Sequence, residues 1–424
     1  MAVPLLLDLD DPACLDPLAA GAKAARLAAA RAGGLPALPG VVVPVAAARD
    51  ALAGGLAALT TQGRHAAQLR VMSAGVTPAL AAELRHRGAQ LGDRLVVRSS
   101  SPLEASGAWS GAFTSYLGVR PDELATAVAG CWAAALGRDA LERATRLGRD
   151  PADLALAVLI QPEVEPLVSG TAAVTEKGDG VRVIGVEGAP APLLTGWSAG
   201  LAVEVRAGAV TNGRDAARQL GAATVLAVAR LAEAVAATFG DDTIEWAAVE
   251  GRPLLLQSAA CERRPPPTSQ PQFGSRVEAA RAHLTTAAGS PRVADRAELH
   301  THAAAMEHGE RFQGQPAAPG IAAGPARVAG QPLQPPPLQE QRPERAVLVA
   351  RYPLPHLAPL LWGAAAMVTF GGSPAAHLFH VARSLGVPAV AACGALEGQL
   401  APAQEVLLAV DGGAGVVALT RPAK

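Results

Sequence analysis

Over roughly the first 258 residues, apolar side chains recur at helical spacing in Ala/Leu/Arg-rich stretches, alternating with short β-branched runs. Those runs predict strands at Gly40 to Pro44, Leu95 to Val97, Ala155 to Ile160, Ala172 to Thr175, Val181 to Val186 and Pro253 to Gln257. Val225, Val228, Leu231 and Val235 repeat on one face of Thr224 to Phe239, which predicts an amphipathic helix. The pattern then stops. Cys261 to Pro271 is charged, proline-rich and aperiodic, as a linker is. Val277 to Phe312 is helical but polar and is broken at Gly289-Ser290-Pro291, which suits a connecting helical pair. Another composition begins near Gly314. A Pro/Gln-rich loop is expected at Gln331 to Pro343, and strands at Ala346 to Ala350, Ala366 to Thr369, Ala389 to Ala392 and Glu405 to Val410. A turn at Asp411-Gly412-Gly413 follows. The expectation is an α/β (α+β) chain in three parts: residues 1–262, a linker over 263–313 and a small unit over 314–424.

Composition narrows the partners more than the fold. The 424 residues suit two or three domains. Half are hydrophobic but only 3% aromatic, so the cores should be aliphatic. Lys and Arg number 36 against 37 Asp and Glu, a balance that argues against nucleic acid or an anionic membrane as the main partner. Cys14, Cys131, Cys261 and Cys393 form no metal-type or redox-type pair, which points to a reduced, cytoplasmic setting. The N-terminus lacks the basic region of a signal peptide. Arg, Asp or Glu interrupts the Ala-rich stretches, so no membrane span is expected.

The segment from Gly371 to Pro388 carries the sharpest local chemistry. Gly371 and Gly372 permit a tight turn, Ser373 can cap a helix, Pro374 suits its first position, and Gly386 with Pro388 ends it. On that register His377 closes the first turn, where free N–H groups and the helix dipole favour an anion. A histidine so placed is what a phosphohistidine relay needs. The plainer alternative is a helix-turn with an incidental histidine.

With its flanks, this unit resembles the swivelling phosphohistidine domain of the phosphoenolpyruvate-utilising enzymes, which include pyruvate phosphate dikinase, phosphoenolpyruvate synthase and rifampicin phosphotransferase. The likeness runs from Gly314 to about Leu419. It rests on Ala317 to Val328, on the histidine segment with Arg383 and Gly386 to Val390, and on Val410-Asp411-Gly412. It departs in having four residues between Gly372 and His377, and Ala376 where the family has a hydroxyl or similar neighbour. His377 takes the carrier position; His380, one helical turn on, does not.

The N-terminal part resembles the ATP-grasp nucleotide-binding domain of the same enzymes. The matching pieces are Gly21 to Leu27, Val96 to Ser101 with the loop Ala108 to Leu117, and Leu159-Ile160-Gln161 with Val168-Ser169-Gly170. Thr243 to Ala247 and Leu254 to Ser258 complete them. The resemblance implies that Lys23 and Arg98 neutralise the triphosphate, that Gln161 borders the adenine, and that Glu245 and Gln257 hold Mg²⁺. These residue types suit phosphoryl transfer, which depends on positioned cations and hard oxygen ligands. Read without the family, Glu245 and Gln257 are polar side chains at strand ends. Three family features are missing: the aspartate before Ile-Glu is Thr243, the arginine two residues after the glutamine is Ala259, and the Gly-Leu-Gly-Glu turn has no acid in Gly188 to Ala191.

The implied function is that of an ATP-dependent dikinase-type phosphotransferase, moving the β-phosphoryl group of ATP through His377 and releasing AMP and phosphate. The linker supplies the hinges. About Pro265 to Phe312 is too short for an acceptor-binding barrel, so the acceptor is left open between a small molecule and a separate subunit. A degenerate nucleotide-binding regulatory protein is the alternative that the three departures raise.

Overall fold

The computed structural model describes residues 4–105, 107–154, 156–175, 178–260, 310–329, 346–374, 376–401, 404–410 and 415–419. The chain divides into two compact units, one of residues 1–190 and 201–260, the other of 191–200 and 261–424. The expected linker over 263–313 falls outside the described residues except for its last few, as do the Pro/Gln-rich loop and the turn at Asp411.

The first unit holds two antiparallel sheets. The five-stranded sheet contains β1 (Leu7–Asp8), β2 (Val41–Val43), β3 (Leu95–Ser100), β4 (Ser115–Val119) and β5 (Ala157–Pro162) in the order β1-β2-β5-β3-β4. It packs with helices α2 (Arg49–Gln62), α3 (Arg64–Ala74), α4 (Pro78–Leu91), α5 (Leu124–Ala134) and α6 (Arg138–Arg146) around Val43, Leu95, Val97, Leu124, Trp132 and Ile160. The six-stranded sheet contains β6 (Val168–Val174), β7 (Val181–Glu187), β8 (Leu201–Arg206), β9 (Ala209–Asn212), β10 (Thr243–Val249) and β11 (Arg252–Ala259) in the order β11-β10-β6-β7-β8-β9. The short α7 (Ala191–Leu194) lies between β7 and β8 in the chain and groups with the second unit. Helices α1 (Pro17–Ala32), α8 (Arg214–Leu220) and α9 (Ala222–Phe239) cover the six-stranded sheet.

Helix α9 is apolar and long enough to cross a membrane by composition, the one such helix among the described residues. It contributes Val225, Val228, Leu231 and Val235 to the core, the stripe its periodicity predicts, and packs on β6, β7, β10 and β11. All ten predicted strands exist, four of them with longer bounds. The run starting at Ala172, for example, is the end of a strand that begins at Val168. The end of the polar helical stretch is a correction: Arg311 and Phe312 begin a strand, because Phe312 packs inward and pairs with Val417.

The described part of the second unit is a closed seven-stranded barrel. Its strands are β12 (Arg311–Ala318), β13 (Gly320–Val328), β14 (Val347–Ala350), β15 (Ala366–Thr369), β16 (Ala389–Ala391), β17 (Glu405–Val410) and β18 (Gly415–Leu419). Neighbours run β12-β16-β15-β14-β13-β17-β18 and back to β12, with parallel pairing from β13 through β16. Strand β14 shows the period of two. Val347 and Val349 join a cluster with Val368, Val390, Val406 and Leu408, while Leu348 and Ala350 face Leu378 and Phe379. These last two belong to α10 (His377–Leu385), which connects β15 to β16.

Candidate functional site

In the first unit, the local fold around Lys23 begins with a glycine. Gly21 interrupts α1 with φ +75°, and a Cβ there would meet the Ser100 carbonyl oxygen at 1.9 Å. Only glycine permits both the backbone angle and the approach. The break leaves N–H groups that the end of β3 satisfies: Ala22 N–H donates to the Ser101 carbonyl at 3.1 Å and Ala24 N–H to Ser100 Oγ at 3.1 Å. Lys23 is carried to the same place, where its Nζ donates to the Ser99 carbonyl at 3.2 Å and pairs with the Glu104 carboxylate. Glu104 also accepts the Ser101 N–H at 2.9 Å, and its side chain is 5% exposed. The motif comparison did not single out Glu104. A carboxylate six residues past Arg98 carries no signal until the turn at Pro102–Ala105 folds it back.

Arg98, on β3 of one sheet, reaches β11 of the other. Its Nη1 donates to the Leu256 carbonyl at 2.8 Å and its Nη2 to Gln257 Oε1 at 2.7 Å, with Glu245 Oε2 3.9 Å away. Gln257 and Glu245 are direct partners in the β10–β11 ladder, so both project from one face. Arg98, Glu245 and Gln257 are thus brought together across the two sheets, while Lys23, on α1, bonds Ser99 and Glu104 at the end of β3. Gln161 is also on β5 beside β3, paired with Val96, but it is buried and its amide Nε2 donates to the Leu38 carbonyl at 3.0 Å. Asp241, just upstream of Thr243, is already occupied. It pairs with Arg26 at 3.0 Å and accepts from Ser258 Oγ at 2.6 Å.

The loop after β3 has its own support. Arg143 on α6 is 2% exposed, and its Nη1 donates to the carbonyls of Ala108 at 2.9 Å and Ser110 at 2.8 Å. Burial pulls its guanidinium down to about 10. Trp109 and Phe113 stack within the loop at 5.8 Å. Thr114 closes it, its carbonyl accepting from Ser99 Oγ at 3.0 Å and from the Cys131 thiol at 3.7 Å. Burial pushes that thiol up to about 12, against the opposing pull of Lys23. Arg143 escaped the sequence reading because its Arg-rich helix looks like any solvated one until the loop folds under it.

The Glu245 and Gln257 oxygens face the Arg98 guanidinium, which takes Gln257 Oε1 at 2.7 Å. Among the described residues no three His, Cys, Asp or Glu side chains converge. Glu245 and Gln257 are cross-strand partners carrying hard oxygen atoms, a type Mg²⁺ accepts in small number when substrate phosphates supply the remainder, and Arg98 would have to release Gln257 Oε1 for both to be used.

In the second unit the helix start needs correction. Ser373 and Pro374 are buried in a separate turn closed by Ala376 N–H to the Ser373 carbonyl at 3.0 Å. The residue before a proline resists helical backbone, so the chain turns first and winds afterwards. Ala376 is then the N-cap, with no side-chain oxygen to offer, and His377 is the first helical residue. Gly372 takes φ +88° beside Pro353, and Gly386 closes α10 in the left-handed conformation. Arg383 Nη1 donates to the Ala317 carbonyl at 2.6 Å, tying the helix to β12. His377 and His380 are half-buried with ring centroids 6.4 Å apart.

Two families of known proteins match these units. Residues 18–191 match the pyruvate phosphate dikinase AMP/ATP-binding domain, and residues 342–415 match the mobile domain of the PEP-utilising enzymes. The first span includes Lys23, Arg98, Glu104, Arg143 and Gln161; the second includes His377. No curated protein matches the chain. Two solved structures align in small part. Aconitase X of Thermococcus kodakaraensis, in its holo-form, is 16% identical over 27% of this chain and 100% of its own, with TM-score 0.21. The solution NMR structure of a UPF0107 protein is 16% identical over 26% of this chain and 100% of its own, with TM-score 0.20. Scores this low carry no argument about either unit.

Proposed function

Since the chain belongs to the phosphoenolpyruvate-utilising enzymes, we propose that it is an ATP-dependent dikinase-type phosphotransferase that carries the β-phosphoryl group of ATP on His377 to an acceptor. The observation that carries the reading is Arg98, a β3 cation held against Gln257 and Glu245 on the opposite sheet, with Lys23 beside the same strand. Arg98 is fixed by the Leu256 carbonyl and Gln257 before a nucleotide arrives, and such preorganisation is where these sites gain most of their effect. Lys23 and Arg98 bind the triphosphate; Gln161 and the end of β5 border the base. Glu245 and Gln257 would hold Mg²⁺, which would supply neutralisation of phosphate charge.

The balance of the reaction defines the steps. A neutral imidazole nitrogen of His377 bonds to the β-phosphorus. The bond from that phosphorus to the oxygen bridging the α-phosphate breaks, and AMP leaves with the electron pair. Release of phosphate requires water to cleave the β–γ link, with its proton passing to solvent. One phosphoryl group remains on the ring for the acceptor, a small molecule or a separate acceptor subunit.

Incubation with ATP labelled at the β-phosphate and Mg²⁺ should give acid-labile label on the protein, and His377→Ala should abolish it. An unlabelled wild type, or a labelled His377→Ala, would falsify the carrier reading. A second reading, a regulatory protein that binds nucleotide without transfer, is favoured by Thr243 and Ala259 at the positions of the missing aspartate and arginine. It calls for tight ATP binding with no AMP formed.

A further inference from the structure

We propose that His380 is a second working imidazole of the carrier: when His377 holds a phosphoryl group, His380 takes up a proton and donates a hydrogen bond to a phosphoryl oxygen. This deepens the carrier reading and rests on it. The two residues stand three apart at the start of α10, hence on one side of the helix. Their ring centroids are 6.4 Å apart and the planes tilt by 49°. At that separation the rings are too far apart for a direct nitrogen–nitrogen hydrogen bond, and the gap is that of one small tetrahedral group bound to one of them.

Packing does not account for a histidine at this position. The apolar side of α10 is already filled by the buried Leu378, Phe379, Val381 and Ala382, whereas His380 keeps partial exposure beside His377. A phosphoryl group brings a charge near −2. An imidazole next to such an anion binds its proton more tightly. By linkage, the proton then raises the hold on the phosphoryl group by the same factor. The proton comes from solvent, and no other bond is made or broken.

Other charged or titratable side chains lie on α10 and on the elements packed against it. Within α10 the other charged side chain is Arg383, turned to the Ala317 carbonyl. The elements packed on the helix, residues Pro355–Trp362 and β12, contribute His356 and Arg311.

The test uses the full-length protein equilibrated with β-labelled ATP, Mg²⁺, AMP and phosphate at fixed ratios, from about pH 6 to about pH 9. In wild type the ratio of loaded to unloaded carrier should exceed that of His380→Val by about fivefold or more at the acid end, and the two curves should converge at the alkaline end. His380→Gln, a neutral donor, should fall between them. Parallel wild-type and His380→Val curves overturn the proposal, as does label persisting in His377→Ala, which would make His380 the carrier. Ring titration of His380 by NMR in loaded and unloaded wild type needs no variant. It should rise by about one pH unit on loading, and an unmoved value overturns the proposal. Absence of label in wild type defeats the carrier reading itself, a distinct result from label with unaltered pH dependence.

Discussion

Thr243 and Ala259 are direct partners across the β10–β11 ladder, on the same face as the Glu245–Gln257 pair. In the family pattern these positions hold an aspartate and an arginine. The two departures are therefore one event, the loss of an opposite-charge cross-strand pair from the end of the site's ladder. The net charge of the face is unchanged, while one positioned cation is gone.

Restoring that cation should raise turnover. Ala259→Arg, measured by AMP release, is expected to gain about tenfold or more, because single charge-stabilising donors in such sites contribute 10²- to 10³-fold. The Thr243→Asp/Ala259→Arg double variant should exceed it if the aspartate orients the new guanidinium. A wild-type rate already matched by Ala259→Arg would mean that Lys23 and Arg98 suffice.

Arg98→Lys tests the bridge between the sheets. A lysine carries the charge but cannot donate to the Leu256 carbonyl and Gln257 together from a planar fork. Calorimetry should show nucleotide affinity weakened by about tenfold, consistent with about 1.5 kcal/mol for a charged hydrogen bond. Unaltered affinity would remove Arg98 from the nucleotide site.

Lys23 and Glu104 neutralise one another, with side-chain exposures of 14% and 5%. Breaking such a pair from one side leaves a buried charge and costs about 3–5 kcal/mol, whereas replacing both partners costs much less. Thermal denaturation should therefore place Lys23→Met well below Lys23→Met/Glu104→Leu. The reverse order would show that the pair is already solvated.

The Cys131 thiol gives a pH prediction. Burial pushes it up to about 12 from an ordinary 9.0, so the unfolded chain releases this proton first. Its contribution to stability is complete below about pH 9 and is lost as pH rises towards 12. Alkaline denaturation should be less steep in Cys131→Ala than in wild type, and native Cys131 should resist alkylation at about pH 8, where almost no thiolate exists. Rapid native alkylation of Cys131 would contradict both statements.

Much of the architecture was legible because it rests on period. Val225 to Val235 forecast α9, and Val347 to Ala350 show the alternation of a strand with a core on each side. Arg98, Glu245 and Gln257 come from motifs far apart in the chain, and the fold brings these three side chains together; their roles toward nucleotide and metal belong to the proposal. The start of α10 was misread for a local reason: a Ser-Pro step looks like a cap and a first turn, yet the proline keeps Ser373 out of helical backbone. Glu104 and Arg143 were missed because their roles exist only across 81 and 35 residues of chain, through contacts that no window of sequence contains. The β1, β4 and β9 strands are short or exposed, and partners rather than propensity define them.

The barrel closes on itself, β18 to β12, with every strand flanked on both sides. An open sheet leaves a rim of unpaired N–H and carbonyl groups that recruits other chains. A carrier that leaves one docking place for another spends part of each cycle uncovered. If the barrel is the carrier proposed above, closure among its described strands would let it stand in solvent without offering a stray strand an edge.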